Sequence, residues 1–326
     1  MRRLIPLLVL CSCGALGMSS EQREQLYLHQ RNAKLYKEGR HYAEALDQIR
    51  RGLEIAPDDY QLHLVRSYCL LSMAQESNDS QKLRQAAESF DKLRTLRSSE
   101  KLEPQAHLGY ALVQQRLGME QRGEAERVRE ELKRTNWSEL EKTQREAKAA
   151  EHERKATAHM QTAERELNGL AASGDLPLLA HYHLLQIHAL ANRYQEAITE
   201  GQTYLELASK QQERHQQQIQ KTTNIGSEKF QRSQLQELVD QEIEVRALVA
   251  HLYWQTGEHQ KSVEQLDRVL TLDPARSVDY YNRGRNYRAL GKNDEMKRDF
   301  KKFIATTKLP PGAVQVTEAY AALRDP

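Results

Sequence analysis

Residues 246–277 read RALVAHLYWQTGEHQKSVEQLDRVLTLDPARS, and the segment that follows repeats their pattern. That segment, residues 279–307, reads DYYNRGRNYRALGKNDEMKRDFKKFIATT. A small residue, a tyrosine and a glycine recur 34 residues apart, as Ala250 and Gly284, Tyr253 and Tyr287, and Gly257 and Gly291. A fixed period of this length is typical of a helical repeat protein, because one helix pair cannot bury its apolar face alone and stacked neighbours share a core.

The period and these residues resemble the tetratricopeptide repeat (TPR). In that family a small residue lets the first helix of a unit approach the second, and a tyrosine follows three residues later. A glycine opens the turn between the helices and a proline ends the unit, which Pro274 does in the first copy. The resemblance implies an all-α fold, a right-handed solenoid of TPR type.

Four further copies are predicted upstream, which brings the number of units to six. Residues 32–59 carry the family's residues, although Gly39 lies one residue early, and residues 181–208 carry them except that Leu185 replaces the small residue. Residues 60–99 and 102–137 are degenerate copies. In the last of these, Leu108 and Gly109 are assigned to the first helix and Ala125 and Val128 to the second.

Two long helical insertions interrupt the predicted repeats. Residues 138–174 are expected to form one long charged helix, since a serine precedes its start and a glycine follows its end. A second arm, at about 208–242, is predicted to extend the helices of two neighbouring repeats, with a turn near Asn224. The arms are either solvated extensions or contacts for another subunit.

The predicted domain organisation follows from these segments. It places a signal region at 1–17, N-terminal repeats at 18–137, the charged helix at 138–174, C-terminal repeats at 175–310 and a capping helix at 311–326. Solenoids need such a cap to cover their last apolar face.

Composition narrows the class of function. Only 6% of the residues are aromatic and 29% are charged, which favours helices with long solvated faces over a sandwich or barrel. The 48 basic and 46 acidic residues nearly cancel and are interspersed. The chain therefore lacks the basic field of a nucleic-acid-binding protein, and no nucleic-acid partner is predicted.

The chain begins MRRLIPLLVLCSCGALGMSS, with two arginines, a short apolar run and small residues. This is the layout of an export signal, and the run is too short to span the roughly 30 Å of a bilayer core. Residues 10–13 resemble the bacterial lipobox, which implies acylation of Cys13 after cleavage. The alternative is ordinary cleavage after Gly17, which would give a soluble exported protein.

The sequence lacks common motifs of catalysis and metal binding. There is no glycine-rich phosphate loop, no Gly-x-Ser-x-Gly elbow and no His-Glu-x-x-His. His181, His183 and His188 lie too far apart along one helix, or on different faces of it, to share a metal ion unaided. We expect no metal, no cofactor, no small-molecule substrate and no enzymatic activity.

A binding groove is the alternative to an active site. In TPR solenoids the concave surface is lined by the second, fifth, ninth and twelfth positions of each first helix, and aromatic residues with arginine are favoured anchors of protein interfaces. The family's carboxylate clamp is not reproduced, because Ala247 and His251 occupy its positions. The resemblance predicts these partner-binding residues: Tyr68, Tyr110, Tyr182, His251, Trp254, Tyr281, Arg285 and Arg288.

The competing interpretation is that these rings only fill the inner seam of the solenoid. On the first interpretation the chain is a non-enzymatic envelope lipoprotein, facing the periplasm from the outer membrane. It would scaffold or assemble a larger machine by binding a protein or peptide partner. Two alternatives remain open, a soluble periplasmic adaptor and an enzyme whose site is assembled only in the fold.

Overall fold

The computed structural model describes residues 17–96, 103–134 and 136–324. These residues form thirteen α-helices and no strand, which confirms the predicted all-α fold. They fall into two compact units that divide between Ser173 and Gly174, called below the N-terminal unit and the C-terminal unit. Within the described residues, no helix is both long enough and apolar enough to cross a bilayer.

The N-terminal unit consists of three helix pairs. Each pair is an antiparallel hairpin, and each packs against the next along the chain. The helices are α1 (Ser20–Glu38) and α2 (Tyr42–Ile55), α3 (Tyr60–Ser77) and α4 (Ser80–Leu96), and α5 (Pro104–Arg134) and α6 (Glu139–Ser173).

The C-terminal unit contains three more pairs and a final single helix. Its helices are α7 (Pro177–Leu190) and α8 (Tyr194–Lys221), α9 (Ile225–Gln255) and α10 (His259–Leu272), α11 (Ser277–Ala289) and α12 (Asn293–Thr306), and α13 (Val314–Arg324). Helix α13 lies within the predicted capping segment and packs against α12.

Local sequence sets where several helices begin and end. Ser19 and Gln22 form a reciprocal capping box at the start of α1, while Asp59 and Asn224 cap α3 and α9 through their side-chain oxygens. Gly257 closes the turn after α9 with a φ of 78°, a left-handed conformation that only glycine adopts without strain. These caps satisfy backbone donors that the helix itself leaves unpaired.

The predicted repeat at 102–137 is wrong in its pairing. Helix α5 runs unbroken from Pro104 to Arg134, so Ala125 and Val128 belong to the first helix rather than the second. A Cβ at Gly118 would lie 3.0 Å from the Met160 side chain, so this glycine of α5 lets the helix approach α6 closely. Helix α6 coincides with the predicted charged helix and is the second member of the third pair.

Polar side chains hold α5 and α6 in register. The Nδ1 atom of His107 lies 2.6 Å from Glu166, that of His159 lies 2.6 Å from Gln114, and that of His152 lies 2.8 Å from Gln121. The three contacts are seven residues apart on both helices, as in an antiparallel coiled coil. We call this set the histidine ladder.

The segment at about 208–242 spans the end of α8 and the start of α9. Helix α8 ends at Lys221 and α9 begins at Ile225, so the turn between them lies at 222–224 and includes Asn224. The contact between His215 and Gln231, 2.5 Å from Nδ1 to Oε1, joins the two helices of this arm. The arm is therefore a continuation of the α8–α9 contact beyond the length of an ordinary repeat.

Gly284 lets α11 and α12 come into contact at the centre of the last pair. A Cβ at this position would lie 2.7 Å from two ring atoms of Phe300, which is fully buried. We expect Gly284→Leu to lower the free energy of unfolding of the C-terminal unit by about 1–3 kcal/mol, because the helices must move apart. Chemical denaturation followed by circular dichroism measures the change, and an unchanged midpoint would contradict the close packing.

Candidate functional site

The polar face formed by α9 and α11 in the C-terminal unit is centred on Arg285. Its guanidinium carbon lies 4.3 Å from the centre of the Trp254 ring and 5.7 Å from that of Tyr281. Both distances allow cation–π attraction. No carboxylate of the described residues pairs with Arg285, so its hydrogen-bond donors are held in place by rings and are available to a ligand.

A small cavity lies beside these residues. Its volume is about 30 Å³, far below the roughly 300–1,000 Å³ of pockets that enclose small-molecule ligands. It can therefore receive a single group of a larger ligand rather than a whole metabolite. The cavity is lined by residues of α9, α10 and α11, namely Ala247, Ala250, His251, Trp254, Ser262, Leu266, Asn282, Arg285 and Asn286.

Two asparagines contribute to the polar lining of this cavity. The side-chain nitrogen of Asn286 donates to the backbone oxygen of Asn282 at 2.9 Å. The side-chain oxygen of Asn286 lies 3.2 Å from Nδ1 of His259. The His259 ring in turn lies 4.7 Å from the ring of Trp254. Sequence reasoning missed all three residues, although the spacing of four between the asparagines places both on one face of α11.

Tyr281 lies within the core and not on an open surface. Only 4% of it is exposed, and its ring packs 5.2 Å from Phe303 and 5.8 Å from Phe300. Its hydroxyl donates to the carboxylate of Glu318 on α13. Burial, together with this carboxylate, raises the pKa of Tyr281 to about 12, so the hydroxyl stays protonated. Tyr281 therefore packs beside Arg285 from the core side and offers little surface of its own to a partner.

The remaining residues predicted in the C-terminal unit lie at the edge of this face or away from it. His251 is exposed at the cavity rim, and Arg288 is exposed with its guanidinium 3.9 Å from Glu318. Tyr182, on α7, is half-buried, and its ring lies 6.1 Å from that of Tyr204. The structure thus brings His251, Trp254 and Arg285 together around one cavity.

The two tyrosines predicted in the N-terminal unit are held by its core. Tyr68 is half-buried, packs edge-on to Phe90 at 5.5 Å and donates its hydroxyl hydrogen to the backbone oxygen of Gln105 at 2.5 Å. Tyr110 is 9% exposed, with the Arg94 guanidinium 4.6 Å from its ring. These contacts are those expected of rings that fill the seam between repeats.

The described part of the chain offers little support for a metal site or for a reactive nucleophile. It contains no group of three or more histidine, cysteine or acidic side chains placed to hold a metal ion. Burial raises the pKa of the Cys69 thiol to about 11, which keeps it protonated and unreactive at neutral pH. Cys13 lies outside the described residues.

The stacked pairs, with small residues at the helix crossings and glycine in the turns, define a helical repeat fold of the tetratricopeptide type. Residues 243–276 and 280–306 match the family model of the tetratricopeptide repeat, which confirms the repeats predicted there. TPR domains bind protein or peptide partners, and TPR proteins are generally non-enzymatic interaction scaffolds.

Two solved structures show the same fold. The C-terminal part of a TPR repeat-containing protein from Cytophaga hutchinsonii is 15% identical, with a TM-score of 0.53 over 91% of this chain and 89% of the other. PilF from Pseudomonas aeruginosa is 12% identical, with a TM-score of 0.52 over 93% and 99%. No curated protein sequence matches the chain. At these identities the likeness concerns the fold alone.

Proposed function

We propose that this protein is a non-enzymatic scaffold or assembly factor of the bacterial cell envelope, and that the α9–α11 face binds an acidic segment of a partner protein. The observation that carries the proposal is Arg285, which is held between Trp254 and Tyr281 without a carboxylate partner among the described residues. An arginine presents a rigid fork of donors that matches the two oxygens of a carboxylate.

The surroundings of Arg285 favour a peptide over a free anion. The half-buried Trp254 offers an apolar surface, and Asn282 offers an amide at the edge of the cavity. A side chain or terminal carboxylate could enter the cavity while the rest of the segment lies along α9 and α11. Charge-assisted hydrogen bonds of this kind contribute about 1.5–3 kcal/mol each.

We expect Arg285→Gln to weaken binding of an acidic peptide at least about tenfold, which corresponds to about 1.4 kcal/mol. The probes are two short fluorescein-labelled peptides that differ only in glutamate against glutamine, titrated by fluorescence anisotropy. Arg298→Gln is the matched control, since Arg298 is exposed on α12 and, among the described residues, its ion-pair partner is Glu295, at 3.8 Å.

The titration distinguishes binding through Arg285 from its absence. Preference of the wild type for the acidic peptide, lost in Arg285→Gln and retained in Arg298→Gln, supports the proposal. Equal binding of both peptides, or an unchanged affinity in Arg285→Gln, contradicts it. Thermal unfolding of each variant separates a lost ligand contact from a lost fold, because a merely structural role of Arg285 would lower the melting temperature as well.

We further propose that Cys13 anchors the mature chain to the envelope by its lipid, facing the periplasm. The support is the short apolar run followed by small residues and cysteine. Mass spectrometry of the mature N-terminus is expected to show an acylated Cys13, and Cys13→Ser should move the protein from the membrane to the soluble fraction. An unmodified terminus at Met18 would instead indicate the soluble periplasmic adaptor.

The other predicted contacts stay predictions. His251 and Arg288 flank the face around Arg285, whereas Tyr68, Tyr110 and Tyr182 are tied to core residues. For these three tyrosines, alanine variants that lose stability along with partner recovery from intact envelopes would show a structural role. Loss of recovery at unchanged stability would show a binding role.

A further inference from the structure

Helix α1 exposes an apolar stripe on its outer face. Tyr27 is 61% exposed, Leu28 44% and Leu35 54%, and Tyr36 beside them is 38% exposed. The opposite face of the helix is the one that enters the core, through Leu26 and Ala33. Four large apolar side chains on the solvent side of one helix are more than a surface helix needs.

The position of α1 at one end of a repeat stack explains why this face is open. Within the N-terminal unit the pair α3–α4 packs against α2 on one side and α5 on the other, whereas α1 ends the stack. In the C-terminal unit the last pair is covered by α13, whose Val316, Ala319 and Ala322 are buried. No helix among the described residues covers α1 in this way. Repeat stacks generally require a polar cap at each end.

Charged residues of both signs surround the apolar stripe. Glu24 and Arg31 are exposed on the same side of α1 as Leu28, at four residues before it and three residues after it. Glu21 and Lys34 lie one turn further out. None of these four has an ion pair or a side-chain hydrogen bond within the parts of the chain that the structure describes.

We propose that the outer face of α1 pairs with the same face of a second copy of this chain in an antiparallel, two-fold symmetric dimer. When the two helices cross at Leu28, each Leu28 meets its own copy. Glu24 and Arg31 lie about 6.0 and 4.5 Å from that centre at 1.5 Å per residue, so each Glu24 faces Arg31 of the second copy. The same two-fold rotation brings Glu21 of one copy towards Lys34 of the other. Because the interface is self-complementary, assembly stops at the dimer.

The charge pattern favours a second copy over an anionic lipid surface. Helix α1 carries four basic and three acidic residues, so its net charge is only +1. A helix that lies on an anionic bilayer is rich in lysine and arginine on its polar face. Here the acidic residues Glu21 and Glu24 precede Leu28 and the basic residues Arg31 and Lys34 follow it, an order that complements itself when the helix is reversed.

A charge exchange tests the pairing. Glu24→Arg places arginine against arginine and Arg31→Glu places glutamate against glutamate, so each variant should raise the dimer dissociation constant at least about tenfold, because like charges in an interface repel. An equimolar mixture of the two variants restores both opposite-charge contacts and should form the heterodimer. All proteins are full chains carrying Cys13→Ser, and sedimentation equilibrium measures their mass.

Matched controls keep the test independent of folding. Glu88→Arg and Arg66→Glu are equivalent changes at exposed positions of α4 and α3, and they should leave the dimer intact. Circular dichroism should show the same helical signal for every variant. A monomeric wild type, a dimer insensitive to both α1 variants, or a mixture that stays monomeric would overturn the proposal. Monomers that bind phosphatidylglycerol vesicles through Leu28, with loss of binding in Leu28→Lys, would overturn it in favour of a lipid surface.

Discussion

Phe300→Ala should lower the free energy of unfolding of the C-terminal unit by about 3–5 kcal/mol, the range measured for buried phenylalanines. The Phe300 ring is fully buried and lies against Gly284 on α11 and 5.8 Å from the ring of Tyr281. Because the glycine has no side chain to fill the space, truncation leaves a cavity where the two helices cross. Urea denaturation followed by circular dichroism measures the loss.

A double-mutant cycle with Gly284→Leu tests the specific contact. When Phe300 is present, the leucine of Gly284→Leu contacts its ring. In the Phe300→Ala background the same leucine enters the cavity that the ring left. The cost of Gly284→Leu should therefore shrink or change sign, a coupling of about 0.5–3 kcal/mol. Additive effects would contradict the packing. Phe230→Ala is the control, since its 59% exposure predicts a change within about 0.5 kcal/mol.

Asp299→Ala should destabilise the same unit by about 3–5 kcal/mol, because it removes the buried partner of the charged Arg283 and leaves only the half-exposed Asp267 in contact with it. Asp299 accepts two hydrogen bonds from the Arg283 guanidinium, at 2.7 and 2.8 Å, and the two side chains are only 8% and 18% exposed. Burial acts to lower the pKa of Arg283, but the bonds to Asp299 outweigh it and the net pKa is raised. Without Asp299 the arginine still stays charged, because a guanidinium is not deprotonated in proteins.

The neighbouring Asp267 provides the comparison. It also contacts Arg283, at 2.7 Å, yet its side chain is 51% exposed, so Asp267→Ala should cost no more than about 1 kcal/mol. Replacing Arg283 and Asp299 together by methionine and leucine should recover much of the loss seen with Asp299→Ala. Equal costs for the two aspartate variants, measured by urea denaturation, would show that the Arg283–Asp299 pair is not effectively buried.

The sequence predicts the last two repeats well because their determinants are local. Gly284 occupies a helix contact that admits only a small residue, and Gly257 occupies a turn with a left-handed backbone. Each has a counterpart 34 residues away, Ala250 and Gly291. The pairing at 102–137 was mispredicted because Ala125 and Val128 are of the residue types expected in a second helix, whereas α5 runs unbroken to Arg134. The close contact at Gly118 depends on Met160, which lies 42 residues away on α6, and no local pattern records such a contact.

The candidate site was predicted in part for the same reason. The positions of Trp254 and Arg285 follow from the repeat register, and the structure brings them together. The burial of Tyr281 does not follow from the register, because it depends on Phe303 and on Glu318 of the capping helix. Asn282 stands beside the expected positions, and its role at the cavity depends on how α9 and α11 meet.

The histidine ladder limits how the long α5–α6 hairpin can evolve in length. Its rungs recur every seven residues on both helices, from His107 and Glu166 to Gln121 and His152. Loss of seven residues from each helix shortens the arm by about 10 Å and brings the next rung into line. Within the ladder, between residues 107 and 121 or between 152 and 166, a deletion of another length sets polar rungs against apolar neighbours. Homologous hairpins are therefore expected to differ there in whole heptads, gained or lost on both helices at once.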